Sequence, residues 1–238
     1  MKTMLCDVEY GSRVIEFVLE RRVRSTLEIS VLPDGSVRVV APSDATVERV
    51  REKVRNRGQW ILSKQRYFAQ FLPRTPQRCY VPGETHLYLG RQFRLKVQPG
   101  SLQKVRLRRG FIEVEGVDFH DARTIERLVR AWYLARARDQ FHRRLLMCRR
   151  QFHDPEGFTP TEIRIQRMST RWGSMSPNGR LLLNPDLVRA PVDAIDYVIT
   201  HELCHLAVKN HGPDFYALQE SVMPDWKRRK ERLEQILA

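Results

Sequence analysis

The run Thr200-His201-Glu202-Leu203-Cys204-His205-Leu206 places two histidines four residues apart with a glutamate between them, inside a segment of helical periodicity. At about 100° per residue, positions i and i+4 share one face a turn apart, so both imidazoles reach one ion at about 2.0–2.1 Å from each nitrogen. Past Lys209, the sequence Asn210-His211-Gly212-Pro213 is expected to end the helix. Gly212 permits a reversal, Pro213 opens the next helix without needing an amide donor, and His211 is folded back toward the first two rings. Three neutral nitrogens and a water form the open ligand set of a catalytic Zn2+, whereas a structural zinc is closed by four protein ligands. Glu220 and Asp214 are the competing third ligands, each a carboxylate close by in the sequence. Glu202 points about 100° away from the ligand face, so it reaches water at the ion without coordinating it, as a general base for carbonyl hydrolysis and a proton donor to a leaving amine. Cys204 reads as a small buried thiol and Tyr197 as packing or a cleft wall. His86, His120, His142 and His153 read as surface or core histidines.

These residues need elements to position them. Three helices are expected in the last third, over 191–209, 213–222 and 225–237, opened by Pro191, Pro213 and Pro224. Before them, Ser176-Pro177-Asn178-Gly179 turns the chain between strand-like residues 163–175 and 180–183. A long helix starts near Asp121, with Ile125, Leu128, Val129 and Trp132 at i, i+3, i+4 and i+7, and runs toward Arg150. Residues 12–115 read as short strands. Leu27, Ile29 and Val31 alternate, Pro33-Asp34-Gly35 turns, and Val37, Val39 and Ala41 alternate again. The pattern recurs around Gly90 and Arg109-Gly110. One helix interrupts them after Pro42-Ser43-Asp44, with Val47, Val50, Val54 and Ile61 in phase and a stop at Leu72-Pro73. The expected architecture is α+β: a small β-rich N-terminal lobe over 1–120 and a site-bearing domain over 121–238.

The segments Arg171-Trp172-Gly173-Ser174-Met175-Ser176-Pro177, Leu183-Asn184-Pro185, residues 196–206, Asn210-His211-Gly212 and Met223-Pro224-Asp225-Trp226 together resemble the YgjP-like metallopeptidases, relatives of the SprT-type zincins. Leu32-Pro33-Asp34-Gly35 and residues 83–90 resemble that family's N-terminal half, so the likeness spans most of the chain. The resemblance implies a zincin-like domain with a short sheet over the active-site helix, His201, His205 and His211 as zinc ligands, and Glu202 as catalytic acid and base. It also implies an edge strand that pairs with an extended polypeptide substrate. Arg171, Trp172, Gly173 and Ser174 are the candidates for that strand, because unpaired backbone groups hold a peptide of almost any sequence. Members often carry Cys where Met175 stands here.

Composition limits the alternatives. With 42 Lys and Arg against 28 Asp and Glu, the net charge of the 238 residues is +14, while 42% hydrophobic residues is too many for a disordered polycation. No run approaches a membrane span, and Asp7 interrupts the N-terminus before a signal-type apolar block develops, so a cytoplasmic protein without a membrane partner is expected. Cys6, Cys79, Cys148 and Cys204 form no Cys-x-x-Cys pair, which fits reduced thiols and leaves metal binding to other residues. Arginines stripe the long helix at Arg123, Arg127 and Arg130 and again at Arg136, Arg143 and Arg150. Residues 104–109 and 227–230 add clusters that suit DNA or RNA, though without a known nucleic-acid motif. Two further functions stay open: nucleotide pyrophosphate hydrolysis at the same metal, a chemistry linked to YgjP-like proteins, and nucleic-acid binding by a module whose zinc site is vestigial.

Overall fold

The computed structural model describes residues 3–32, 34–70, 78–169 and 171–237. It is α+β, as expected, and divides into two compact units, Met1–Arg74 and Thr75–Leu237.

The first unit is a four-stranded sheet of β1 (Thr3–Tyr10), β2 (Arg13–Arg22), β3 (Glu28–Val31) and β4 (Val37–Pro42) in the order β1-β2-β4-β3, with β2 and β4 parallel. The expected hairpin is β3–β4, and the Gly35 amide donates to the Leu32 carbonyl at its turn; Pro33 lies outside the described residues. Ile15, Phe17 and Leu19 of β2 and Val37 and Val39 of β4 bury one face against a helical segment. The single helix expected here is two, α1 (Val47–Asn56) and α2 (Gly58–Ala69). The break falls where a side chain cannot fit, since a Cβ on Gly58 would stand 2.3 Å from the Tyr10 ring. Val50, Val54 and Ile61 still reach one core across the break. The expected stop at Leu72-Pro73 lies outside the described residues.

The second unit begins with the strands β5 (Thr85–Tyr88), β6 (Arg91–Gln98), β7 (Lys104–Arg108) and β8 (Phe111–Glu115), in the order β5-β6-β8-β7. The expected boundary at residue 120 is therefore displaced to about residue 75, because this sheet is welded to the C-terminal part of the chain. Gly90, at φ 76°, packs so closely on Pro191 that a Cβ would stand 2.8 Å from that ring, and the Leu89 and Gly90 amides donate to the Val188 and Arg189 carbonyls. The Tyr133 hydroxyl donates to the Leu87 carbonyl at 2.6 Å from the long helix α3 (Ala122–Arg149). Asp121 caps α3 by accepting from the Thr124 amide, and its buried stripe runs from Ile125 to Cys148.

The strands β9 (Glu162–Ile165), β10 (Gly173–Met175) and β11 (Arg180–Leu183) form a second small sheet in the order β10-β11-β9. The long strand expected over 163–175 is thus two strands on opposite sides of β11. Asn184 causes the division: its side-chain amide donates to the Met168 and Arg171 carbonyls and its backbone amide to the Trp172 carbonyl, which folds the intervening segment. A 3-10 turn over Pro185–Arg189 leads to α4 (Val192–Cys204), α5 (Pro213–Val222) and α6 (Trp226–Leu237). α4 is buried on nearly every side, as befits a central helix. Arg144 of α3 grips Asp196 with two bonds of 2.7 and 2.6 Å, and Arg232 of α6 holds Asp193 at 2.7 Å. No helix among the described residues is long and apolar enough to cross a membrane.

Candidate active site

α4 carries His201 and Glu202, and His205 is the residue that caps its end. The helix stops earlier than the expected Lys209, because beyond Cys204 the amides of His205, Leu206 and Ala207 turn back to carbonyls three residues earlier. His205 Nδ1 donates to the Val208 carbonyl at 3.0 Å and fixes that turn. Gly212 has φ −96°, extended backbone open to any residue, so the reversal belongs to residues 205–208 rather than to Gly212 as expected. The outcome is the anticipated return of His211: its Nε2 lies 3.0 Å from Nε2 of His201 and 3.1 Å from Nε2 of His205. Among the described residues these three form the cluster able to hold a metal ion, with ligand atoms all within 4.8 Å of one another. Glu220 and Asp214 are exposed and outside it.

The tautomers decide whether the cluster fits a cation. His201 Nδ1 donates to Gln219 Oε1 at 2.9 Å, and His205 Nδ1 is committed to Val208. In the neutral rings each Nε2 therefore turns a lone pair toward the shared point, and His211 brings at most one proton to share between them. Lone pairs at 3.0–3.1 Å suit a cation, since two nitrogens held tetrahedrally by one zinc stand about 3.3 Å apart. Burial, reinforced by the other two imidazoles, pushes His201 down to about 4, and burial also lowers His211 from its ordinary value. Phe215 floors the triad, its ring centre 4.6–4.9 Å from each imidazole.

Glu202 is 7% exposed, and this burial pushes its carboxyl up to about 7, against the opposing pull of the Met175 amide and the Arg171 charge. β10 runs directly over it, so that a Cβ on Gly173 would stand 2.8 Å from Glu202 Cγ and 2.9 Å from Val198 Cγ1. The Met175 contact is made by backbone, which any residue at that position supplies. Triad, Glu202 and β10 line one cleft of roughly 740 Å³, walled also by Arg171, Trp172 and Ser174. Tyr197 lines it too, and Cys204 is fully buried, its thiol pushed up to about 12 by burial. Four contributors carry no motif in the sequence: Gln219, Phe215, and Lys230 and Leu233 of α6 on the far wall. Gln219 carried one signal, a polar residue one turn after Phe215 on the buried face of α5. Of the other histidines, His86 is buried against Glu84 and His120, His142 and His153 are exposed.

A histidine cluster at the end of a central helix, a buried carboxylate on the adjoining face and a small sheet laid over both define a metallopeptidase domain of the His-Glu-x-x-His class. The family model described as YgjP-like, metallopeptidase domain, matches residues 25–236, and the chain belongs to that family. Among solved structures, the chain is similar to the metallopeptidase zymogen of Pyrococcus abyssi abylysin at 21% identity and a TM-score of 0.30, covering 44% of this chain and 90% of that one. No curated protein matches the sequence.

Proposed function

We propose that the protein is a zinc-dependent peptidase that cleaves an extended polypeptide bound along β10. Nε2 of His201, His205 and His211 would hold the ion, an all-nitrogen set that suits Zn2+. When bound, zinc supplies Lewis-acid polarisation of a carbonyl and acidifies water. Glu202 takes the proton of the attacking water on its carboxylate and returns it to the departing amine nitrogen. In the metal-free fold burial pushes this carboxyl up to about 7, which gives it a proton affinity that an exposed glutamate lacks. Arg171, Trp172, Gly173 and Ser174 position the substrate, with the edge of β10 offering backbone donors and acceptors to it.

The observation that supports this reading is the contact of edge strand β10 with Glu202, which would bring a bound peptide beside the proposed base. The test is Glu202→Gln assayed on an unfolded protein substrate beside zinc content. The expected result is loss of hydrolysis with one zinc per chain retained; full activity refutes the assigned base. Arg171, Lys209 and Lys230 around the same cleft support a second reading, hydrolysis of a nucleoside triphosphate. Turnover of nucleotides and not of protein, abolished in the same variant, would replace the first reading with the second.

A further inference from the structure

The sheet β5–β8 has two chemically opposite faces. Register pairs Arg94 with Phe111 and Lys96 with Glu113 across β6 and β8. Across β8 and β7 it pairs Phe111 with Arg108, Glu113 with Arg106 and Glu115 with Lys104. Directly paired residues project to the same side, so these eight share one face. The opposite face carries Leu95, Ile112 and Val114 into the core against α3. The charged face is therefore the outward one: Arg94, Lys104, Arg106 and Arg108 are exposed, and Phe111 keeps 36% of its surface in solvent.

Two features of this face go beyond a solvated surface. First, its five cations meet two acids, and one of these, Glu113, is nearly buried beside Lys96, whose ammonium stands 3.8 Å from it. Along edge strand β7 the cations recur every second residue, about 6.6–6.8 Å apart, a spacing close to that of phosphates on an extended single strand. Second, an aromatic ring stands among them. Phe111 lies between its register partners Arg94 and Arg108, with the Lys96 ammonium 5.7 Å from the ring centre. Cations that track a backbone around an exposed ring are the recognition elements for single-stranded nucleic acid, whose unpaired bases stack on aromatic side chains. A duplex suits the face poorly, because a four-stranded sheet at about 4.8 Å per strand is too broad for a major groove about 12 Å wide.

We propose that the outer face of the β5–β8 sheet binds single-stranded nucleic acid, with phosphates on the cations of β6 and β7 and a base stacked on Phe111. This surface is separate from the histidine cleft and does not depend on the peptidase reading. The test is fluorescence anisotropy of the full chain with a labelled oligothymidine of about 16 nucleotides, across about 50–200 mM salt. Binding is expected to weaken steeply with salt and to exceed binding of a duplex of equal length. Phe111→Ala and Phe111→Leu are each expected to weaken it at least about fivefold with the salt slope unchanged, and Phe111→Tyr to preserve it. Arg106→Ala with Arg108→Ala is expected to reduce the slope of log affinity against log salt by about 1.4. Since these side chains are exposed, unchanged thermal melting shows the variants folded. Absence of binding at low salt, indifference to Phe111→Ala, or equal affinity for duplex or for polyglutamate would each overturn the proposal.

Discussion

Gly173→Ala isolates the contact between β10 and Glu202, the strand and base of the proposed function. The added Cβ would stand 2.8 Å from Glu202 Cγ, 2.9 Å from Glu202 Oε1 and 2.9 Å from Val198 Cγ1, whereas ordinary van der Waals contact begins near 3.4 Å. Relief requires a displacement of about 0.5 Å or more, taken up either by the carboxylate swinging away or by β10 lifting from α4. Under the proposed function, either movement separates Glu202 from a peptide held along β10, and a misplacement approaching 1 Å costs on the order of a hundredfold in rate. The expected result is a fall in kcat/KM of about ten- to a hundredfold, with zinc content unchanged because the imidazoles are anchored by Gln219 and Val208 rather than by β10. Overpacking also costs about 1–3 kcal/mol of stability, and that cost is expected to shrink in a Glu202→Ala background, where Cγ is gone. Peptide hydrolysis, metal analysis and urea unfolding of the four proteins of this cycle measure all three quantities. Activity within threefold of the parent, or a stability cost indifferent to residue 202, would refute the claim that the strand seats the base.

Three further outcomes are expected. Burial raises the Glu202 pKa from an ordinary 4.5 to about 7, so the ionised carboxylate opposes folding: stability is full below pH 4.5 and declines as pH rises to about 7. Metal-free Glu202→Gln is thus expected to exceed metal-free parent by about 3 kcal/mol at about pH 8 and to match it near pH 4, read by urea unfolding. Gln219→Leu removes the acceptor from His201 Nδ1 and is expected to weaken zinc affinity about 10- to 100-fold in competition with a chelator, with the circular dichroism unchanged. Arg144→Met leaves Asp196, among the described residues, with Arg229 at 4.0 Å as its remaining ion-pair partner, and a loss of about 3 kcal/mol is expected in urea unfolding.

What the sequence made legible was what local geometry controls. His201, Glu202 and His205 were readable because a helix fixes their relative directions, and α5 and α6 because a proline precedes or opens each. The return of His211 follows from the sequence but its cause does not, since the reversal is held by the His205 side chain bonding the Val208 carbonyl rather than by a glycine conformation. Contacts distant in the chain were not legible. Nothing near Gly90 announces that it packs on Pro191, yet that contact moves the unit boundary from residue 120 to about 75. The role of Gln219 depends on α5 lying against α4, since its one local signal is its place a turn after Phe215 on the buried face of α5. The break at Gly58 was invisible because the apolar phase of Val50, Val54 and Ile61 is the same for one helix or two. β1 carries little sequence signal because it buries just two residues, Cys6 and Val8, among exposed neighbours.

One physical cause sets both halves of the site's chemistry. Removing water from an imidazole disfavours its cationic form, and removing water from a carboxyl disfavours its anionic form. His201 is pushed down to about 4 and Glu202 up to about 7 by the same burial between α4, α5 and β10. At neutral pH His201 therefore keeps the lone pair that a cation needs, while the Glu202 carboxyl keeps an affinity for protons that an exposed glutamate lacks. Both are conditions that the metal-free fold holds at a cost, because three nitrogens face one another at close range and a half-ionised acid sits with little water. A cation relieves the first directly and the second through its charge, so stability, metal affinity and proton transfer are coupled through one cleft. A change that admits water there, such as loss of the α6 wall around Leu233, is expected to push His201 up and Glu202 down together, whereas a change at the Gly173 contact acts on the Glu202 carboxyl and on β10.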